Sequence, residues 1–188
     1  MKREETSLLG YAMLGILQQQ PLSGYDLRKI FAATPLMAFS DSPGAIYPAL
    51  ERLEHGGLIL GRIQKGPGLR QRRVFRLTAA GSGQLRRWLE KPISRDDIVR
   101  GADALLLRFS FMDAGLGRAH SARFLEALET ELAAYLPTLR EFLKSAQEGM
   151  PISGRLALES GVQGYESLLR WARRGQAVYR RELRGDAL

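Results

Sequence analysis

Apolar residues recur at helical spacing through most of the chain, and the interruptions divide it into recognisable segments. Thr6 to Gln20 (TSLLGYAMLGILQQQ) predicts a capped apolar helix that ends at a break, Pro21-Leu22. Ser23-Gly-Tyr-Asp26 has the serine-to-acid spacing of a capping box and opens a second helix with Leu27, Ile30 and Phe31 on its core face; Thr34-Pro35 ends it. The third segment reads DSPGAIYPALERLEHGGLI (41–59). Ser42 suits the N-cap and Pro43 the first helical position, where its missing N–H is no loss. Ile46, Leu50 and Leu53 form one apolar face, and Gly56-Gly57 supplies the left-handed residue that ends a helix. The opposite face presents Gly44, Tyr47, Glu51, Arg52 and His55. Pro48 predicts either a 3₁₀-like first turn or a bend near Tyr47, because proline removes a backbone donor and crowds the preceding turn.

The period then changes. Leu58 to Ile63 reads as a strand, Lys65 to Gly68 (KGPG) as a turn, and Arg72 to Leu77 as the returning strand. Thr78 caps a fourth helix, with Leu85, Trp88 and Leu89, which stops at Pro92. Beyond Ser94 the chain is again helical. Ser94-Arg-Asp-Asp97 is another capping-box start, leading to Leu105, Leu106 and Phe109 before a break at Gly115 and Gly117. From Phe124, the positions Leu125, Leu128, Leu132, Tyr135, Leu139 and Phe142 alternate steps of three and four, a seam suited to lengthwise helix packing. Pro137 predicts a kink there. A last helix from near Ser153 shows Leu158, Val162, Tyr165, Leu169 and Ala172, with Trp171 and Tyr179 beside them. Two such long amphipathic helices on one slender unit point to dimerisation, with folding back onto the N-terminal part as the alternative.

Composition narrows the class. The 188 residues are 45% hydrophobic and 26% charged, the balance of a soluble globular protein of one or two small domains. No apolar run approaches the ~20 residues of a membrane span, and MKREETSLLG is unlike a secretion signal, so the expected location is the cytoplasm. There is no cysteine, hence no disulfide framework and no thiolate metal site. His55 and His120 are distant from one another, Asp96-Asp97 has a capping explanation, and GPG (66–68) lacks the context of a phosphate loop, so neither catalysis nor a cofactor or metal is expected.

Net charge is +8, unevenly distributed. Residues 1–91 hold 14 Lys+Arg against 7 Asp+Glu, a net of +7, and the remainder 14 against 13, a net of +1. The hairpin alone carries Arg62, Lys65, Arg70, Arg72, Arg73 and Arg76 with no acid between them. Cations against phosphates release counterions, and a groove ~12 Å wide admits one helix. Three helices followed by a basic hairpin is the order of a winged helix, in which the third helix enters the major groove and the hairpin reaches the flanking backbone. The expected fold is therefore mainly α with a small β-hairpin. A winged helix-turn-helix domain (1–92) precedes an α-helical domain (93–188).

SPGAIYPALERLEHGGLI, the arginine-rich hairpin and RVFRLTAAGSGQLRRWL closely resemble the winged-helix domain of the PadR family of bacterial transcriptional regulators. LLLRFSFMDAGLG and LALESGVQGYESLLRWARR are similar to segments of that family's helical domain, so the resemblance covers nearly the whole chain. It implies a DNA-binding regulator, usually a repressor, dimerised through its C-terminal helices on inverted-repeat duplex DNA and often released by a small hydrophobic or phenolic effector. By resemblance, Tyr47 faces the DNA backbone, Ser42, Gly44 and Ala45 form the helix front entering the groove, and Arg70, Arg72 and Arg73 belong to the basic wing. Phe75 stands where the family more often has tyrosine, which removes a hydroxyl.

Lys65 joins the DNA-binding candidates through the hairpin's charge. Arg52 either reaches phosphate or pairs on the helix surface. His55 is expected to be dipole-stabilised or solvated. Trp88 and Trp171 suit a core, yet either could stack on a flat effector. The competing class is a winged-helix module that binds protein or RNA without operator specificity.

Overall fold

The computed structural model describes residues 6–36, 42–65, 71–145 and 149–185. The chain forms two compact units: Met1–Lys91 with Ser110–Gly115, and Pro92–Phe109 with Leu116–Leu188.

The first unit begins with α1 (Leu8–Gln19), whose N-cap Ser7 accepts a hydrogen bond from the Gly10 N–H. A two-residue strand, β1 (Leu22–Ser23), follows where the sequence indicated only a break. It pairs antiparallel with β3, Leu22 opposite Phe75 and Ser23 opposite Val74. α2 (Gly24–Ala33) starts in the expected capping box: Ser23 Oγ accepts from the Asp26 N–H at 3.2 Å, and Asp26 Oδ2 accepts from Ser23 N–H and Oγ–H at 3.1 and 2.7 Å. These bonds, the Ser23 hydroxyl foremost, hold the Asp26 carboxyl below its ordinary range, with Arg72 and Lys29 adding to them and burial opposing. The folded-state value is thus lower than the unfolded one, so this stabilisation is present above about pH 4 and is lost as pH falls through the folded value. Ser23→Ala should lower stability by about 1 kcal/mol at neutral pH and flatten the acid limb of a melting-temperature profile.

α3 (Pro43–His55) is one helix through Pro48. Its first turn closes on Ser42, whose carbonyl accepts from both Ala45 and Ile46 N–H at 3.0 Å. Ile46, Ala49, Leu50 and Leu53 are buried. The helix leaves through Gly57, the left-handed residue at φ +68°; Gly56 keeps a right-handed φ of −72°. β2 (Ile59–Lys65) and β3 (Gln71–Leu77) form the hairpin, and the antiparallel sheet order is β1-β3-β2. The turn residues 66–68 and Arg70 lie outside the described residues. Thr78 caps α4 (Ala79–Leu89) by accepting from the Gly81 N–H at 3.0 Å. The core of this unit joins Met13, Leu14, Leu27, Phe31, Ile46, Leu50, Ile59, Leu85 and Leu89. A domain cut at residue 92 leaves out one contributor, the returning segment Ser110–Gly115, which brings the buried Phe111 ring against Gly15 of α1.

The second unit contains α5 (Arg95–Ser110), which opens in the Ser94–Asp97 capping box and is kinked at Gly101. After α6 (Met112–Leu116), α7 (Arg118–Ser145) and α8 (Ile152–Arg184) pack along each other. Pro137 leaves α7 unbroken; it is exposed, as is Ala133, whose carbonyl faces a proline that has no N–H to donate. Leu125, Leu128, Leu132 and Leu136 are buried along α7, whereas Phe142 at the end of the predicted seam is 56% exposed. Ion pairs Arg140–Glu166 at 2.6 Å and Arg173–Glu129 at 2.7 Å cross between the two helices.

Candidate nucleic-acid interface

The exposed side of α3 is built from its capped front. Ser42 Oγ accepts from the Gly44 N–H at 3.2 Å; Gly44 is exposed and Ala45 half-buried. These small residues let the backbone approach a partner closely but offer few groups for reading bases. Tyr47 is 46% exposed, with one edge of its ring against Gly24, where a Cβ would stand 2.7 Å from it. Glu51, Arg52 and His55 continue the exposed face, and the His55 Nδ1 lies 3.2 Å from the Glu51 carbonyl.

The strand register sorts the wing arginines. Leu60, Arg62 and Gln64 lie opposite Arg76, Val74 and Arg72, whereas Gly61, Ile63 and Lys65 lie opposite Phe75, Arg73 and Gln71. Side chains alternate across a sheet, so Arg62, Arg72 and Arg76 share one face and Arg73 stands on the other. All four are exposed. Two meet carboxylates from the preceding helices: Arg72 Nη1 is 3.9 Å from Asp26, and Arg73 Nη2 is 2.7 Å from Glu54. Sequence inspection finds no acid within the hairpin, and these partners are remote along the chain.

A further basic cluster was not among the sequence candidates. On α2, Tyr25 is 54% exposed, with the Arg28 guanidinium 5.7 Å and the Lys29 ammonium 5.3 Å from its ring centre. The i, i+3, i+4 spacing of these residues is legible in the sequence and places them together on one side of α2.

The two tryptophans belong to different units. Trp88 stacks on Tyr11, ring centres 4.4 Å apart and planes at 6°, and Gln84 donates to the Tyr11 hydroxyl at 3.0 Å. One face of Trp88 is therefore occupied within the first unit. Trp171 meets Phe109 edge-on at 5.2 Å, and Phe109 also meets Phe124 and Tyr179. Among the described residues, no group of three or more His, Asp or Glu side chains could hold a metal, and no helix is long and apolar enough to cross a membrane.

The capped α3, the short third strand and the arginine-bearing hairpin define a winged-helix domain. Residues 13–87 match the Transcriptional regulator PadR-like family. The first unit therefore carries a PadR-like domain. Among its relatives, the Negative transcriptional regulator PadR of Bacillus subtilis is 26% identical over 146 residues, covering 78% of this chain and 79% of that protein. A Mycobacterium tuberculosis protein named as a probable transcriptional regulator is 25% identical over 175 residues, covering 87% and 93%. The crystal structure of Bacillus subtilis PadR with operator DNA aligns over 92% of this chain and 99% of that one, at 23% identity and a TM-score of 0.44.

Proposed function

We propose that this protein is a homodimeric repressor acting in the cytoplasm, bound to an inverted-repeat operator through α3 and the wing. The observation that carries the DNA contact is the shared face of Arg62, Arg72 and Arg76 in the same unit as the exposed front of α3. Within it, Ser42, Gly44, Ala45 and Tyr47 enter or flank the groove, and Arg52, Lys65, Arg70 and the wing arginines supply positive charge. The negative regulation named for the Bacillus subtilis relative supports repression. Exposed Ile152, Leu156, Val178 and Leu183 on α8 support burial against a second copy through residues 93–188. A small hydrophobic or aromatic effector would find the Phe109–Trp171–Tyr179 cluster more available than Trp88, whose face Tyr11 covers.

The test is selection of duplexes from a random pool, followed by titration of the winner and a scrambled duplex. An enriched inverted repeat preferred by roughly 10³ or more is the expected result. Equal binding to both duplexes, with a steep salt dependence, would instead mark a merely basic surface. Preference for protein or RNA would favour the module reading. Direct readout should be modest, because Gly44 and Ala45 offer little to base edges, and DNA shape should contribute. The phosphate contacts have a separate signature. Lys29→Ala and Arg62→Ala should each make the log–log salt slope shallower by about 0.9, with similar loss on selected and scrambled duplex.

A further inference from the structure

Glu54, near the end of α3, holds two groups of the wing at once. Its Oε1 accepts from the Gly61 N–H at 2.8 Å, and its Oε2 accepts from Arg73 Nη2 at 2.7 Å. Arg73 reaches it across β2 at Gly61, where no side chain intervenes: a Cβ there would stand 2.6 Å from Arg73 Nε and 2.9 Å from both Glu54 Oε1 and the Phe75 ring. The guanidinium also lies 5.4 Å from the centre of the Phe75 ring. An exposed ion pair alone contributes little. Here one carboxylate takes a backbone donor and a guanidinium from both strands of the hairpin, and an aromatic ring supports the guanidinium. The strand register puts this assembly on the face opposite Arg62, Arg72 and Arg76.

We propose that Arg73 is a positioning residue: with Glu54 and Gly61 it clasps the wing to the C-terminal part of α3, so that helix and wing meet one duplex in a fixed relation. The inference rests on the DNA-binding reading above and refines it, because it removes one arginine from the phosphate contacts and gives it to specificity. Arg73, hydrogen-bonded to Glu54 at 2.7 Å and turned to the face opposite Arg62, Arg72 and Arg76, adds little to phosphate neutralisation, so its loss leaves counterion release nearly unchanged. Its loss does free the wing to settle in several orientations. Binding to the selected sequence then weakens, while binding to any duplex survives.

The experiment compares wild type, Arg73→Ala and Glu54→Gln on the selected and scrambled duplexes between about 50 and 200 mM salt. Glu54→Gln keeps the shape and an oxygen for the Gly61 N–H while weakening the guanidinium contact, so it decides the matter if Arg73→Ala fails to fold. For Arg73→Ala, the expected result is an unchanged salt slope with about a tenfold fall in preference for the selected duplex. Glu54→Gln should show the same fall with a slope unchanged or steeper. A slope shallower by about 0.9 in Arg73→Ala would overturn the proposal, since it would put Arg73 on a phosphate. So would unchanged preference in Glu54→Gln. Wild-type protein lacking preference for any duplex would instead overturn the operator reading itself.

Discussion

Replacing Gly81 with alanine should destabilise the first unit by about 3 kcal/mol, from a backbone overlap that side-chain repacking cannot relieve. Gly81 lies in the first turn of α4, and a Cβ on it would stand 2.0 Å from the Leu58 carbonyl oxygen and 2.9 Å from its carbon. That carbonyl is held in place, because it accepts from Thr78 N–H at 3.1 Å and Thr78 Oγ–H at 3.0 Å. Thr78 in turn caps α4 through the Gly81 N–H. Making room means parting α4 from the start of β2 and giving up about two hydrogen bonds at ~1 kcal/mol each, besides lost packing. Alanine's better helix propensity returns about 1 kcal/mol. The net change corresponds to a melting temperature lower by roughly 12–24 °C for a domain of this size. Gly83→Ala is the control on the same helix. Its Cβ would meet only the Arg87 Nη1 at 3.5 Å, an ordinary contact, so a small gain is expected. Melting of Gly81→Ala within a few degrees of wild type would show that Leu58 and α4 can part without loss.

The second large effect has the opposite sign. Arg108 in α5 is 3% exposed, and among its buried donors Nε and Nη2 have no hydrogen-bond partner. Burial pushes its guanidinium below the ordinary arginine range, with Asp97 partly offsetting this. The Phe124 ring, 5.0 Å from Cζ, provides a cation–π contact worth up to about 2 kcal/mol. That does not match two unsatisfied buried donors, at about 1–3 kcal/mol each. Arg108→Met keeps a long flexible side chain against the aromatic ring and removes the charge. It should therefore raise stability by about 1–3 kcal/mol in chemical denaturation. Arg108→Ala should lose packing and fall below the Met variant. A Met variant less stable than wild type would mean that the guanidinium has a strong buried partner.

Arg108 also shows where reading a sequence runs out. Its place on α5 follows from the helical period, but its burial depends on Phe124 and the packing of α7. Local signals were legible because both partners lie within one turn. Ser23 with Asp26, Ser94 with Asp97, Ser42 with Gly44 and Thr78 with Gly81 all bond across two or three positions, so type and spacing name the contact. β1 was not legible, since a strand of two residues has no period and exists through its pairing with β3. The return of Phe111 onto Gly15 was equally invisible, being a contact between distant parts of the chain.

For the candidate interface the division follows the same line. The exposed face of α3 and the basic hairpin could be read from period and composition, and they sufficed to name the fold class and to point to a polyanionic partner. The different placement of Arg73 and Arg72 could not. Both are arginines of one strand, adjacent and exposed, and residue type treats them alike. The pleat turns them to opposite faces, and Glu54 and Asp26 arrive from different helices to meet them. By itself, the sequence determined which segments are helical, where they are capped, where positive charge gathers and which family the N-terminal domain resembles, because each is a property of neighbours in the chain. Tertiary structure alone decided which charges are already paired, which glycines stand where no Cβ fits, and which aromatic faces are covered. Each of those depends on groups that folding brings together.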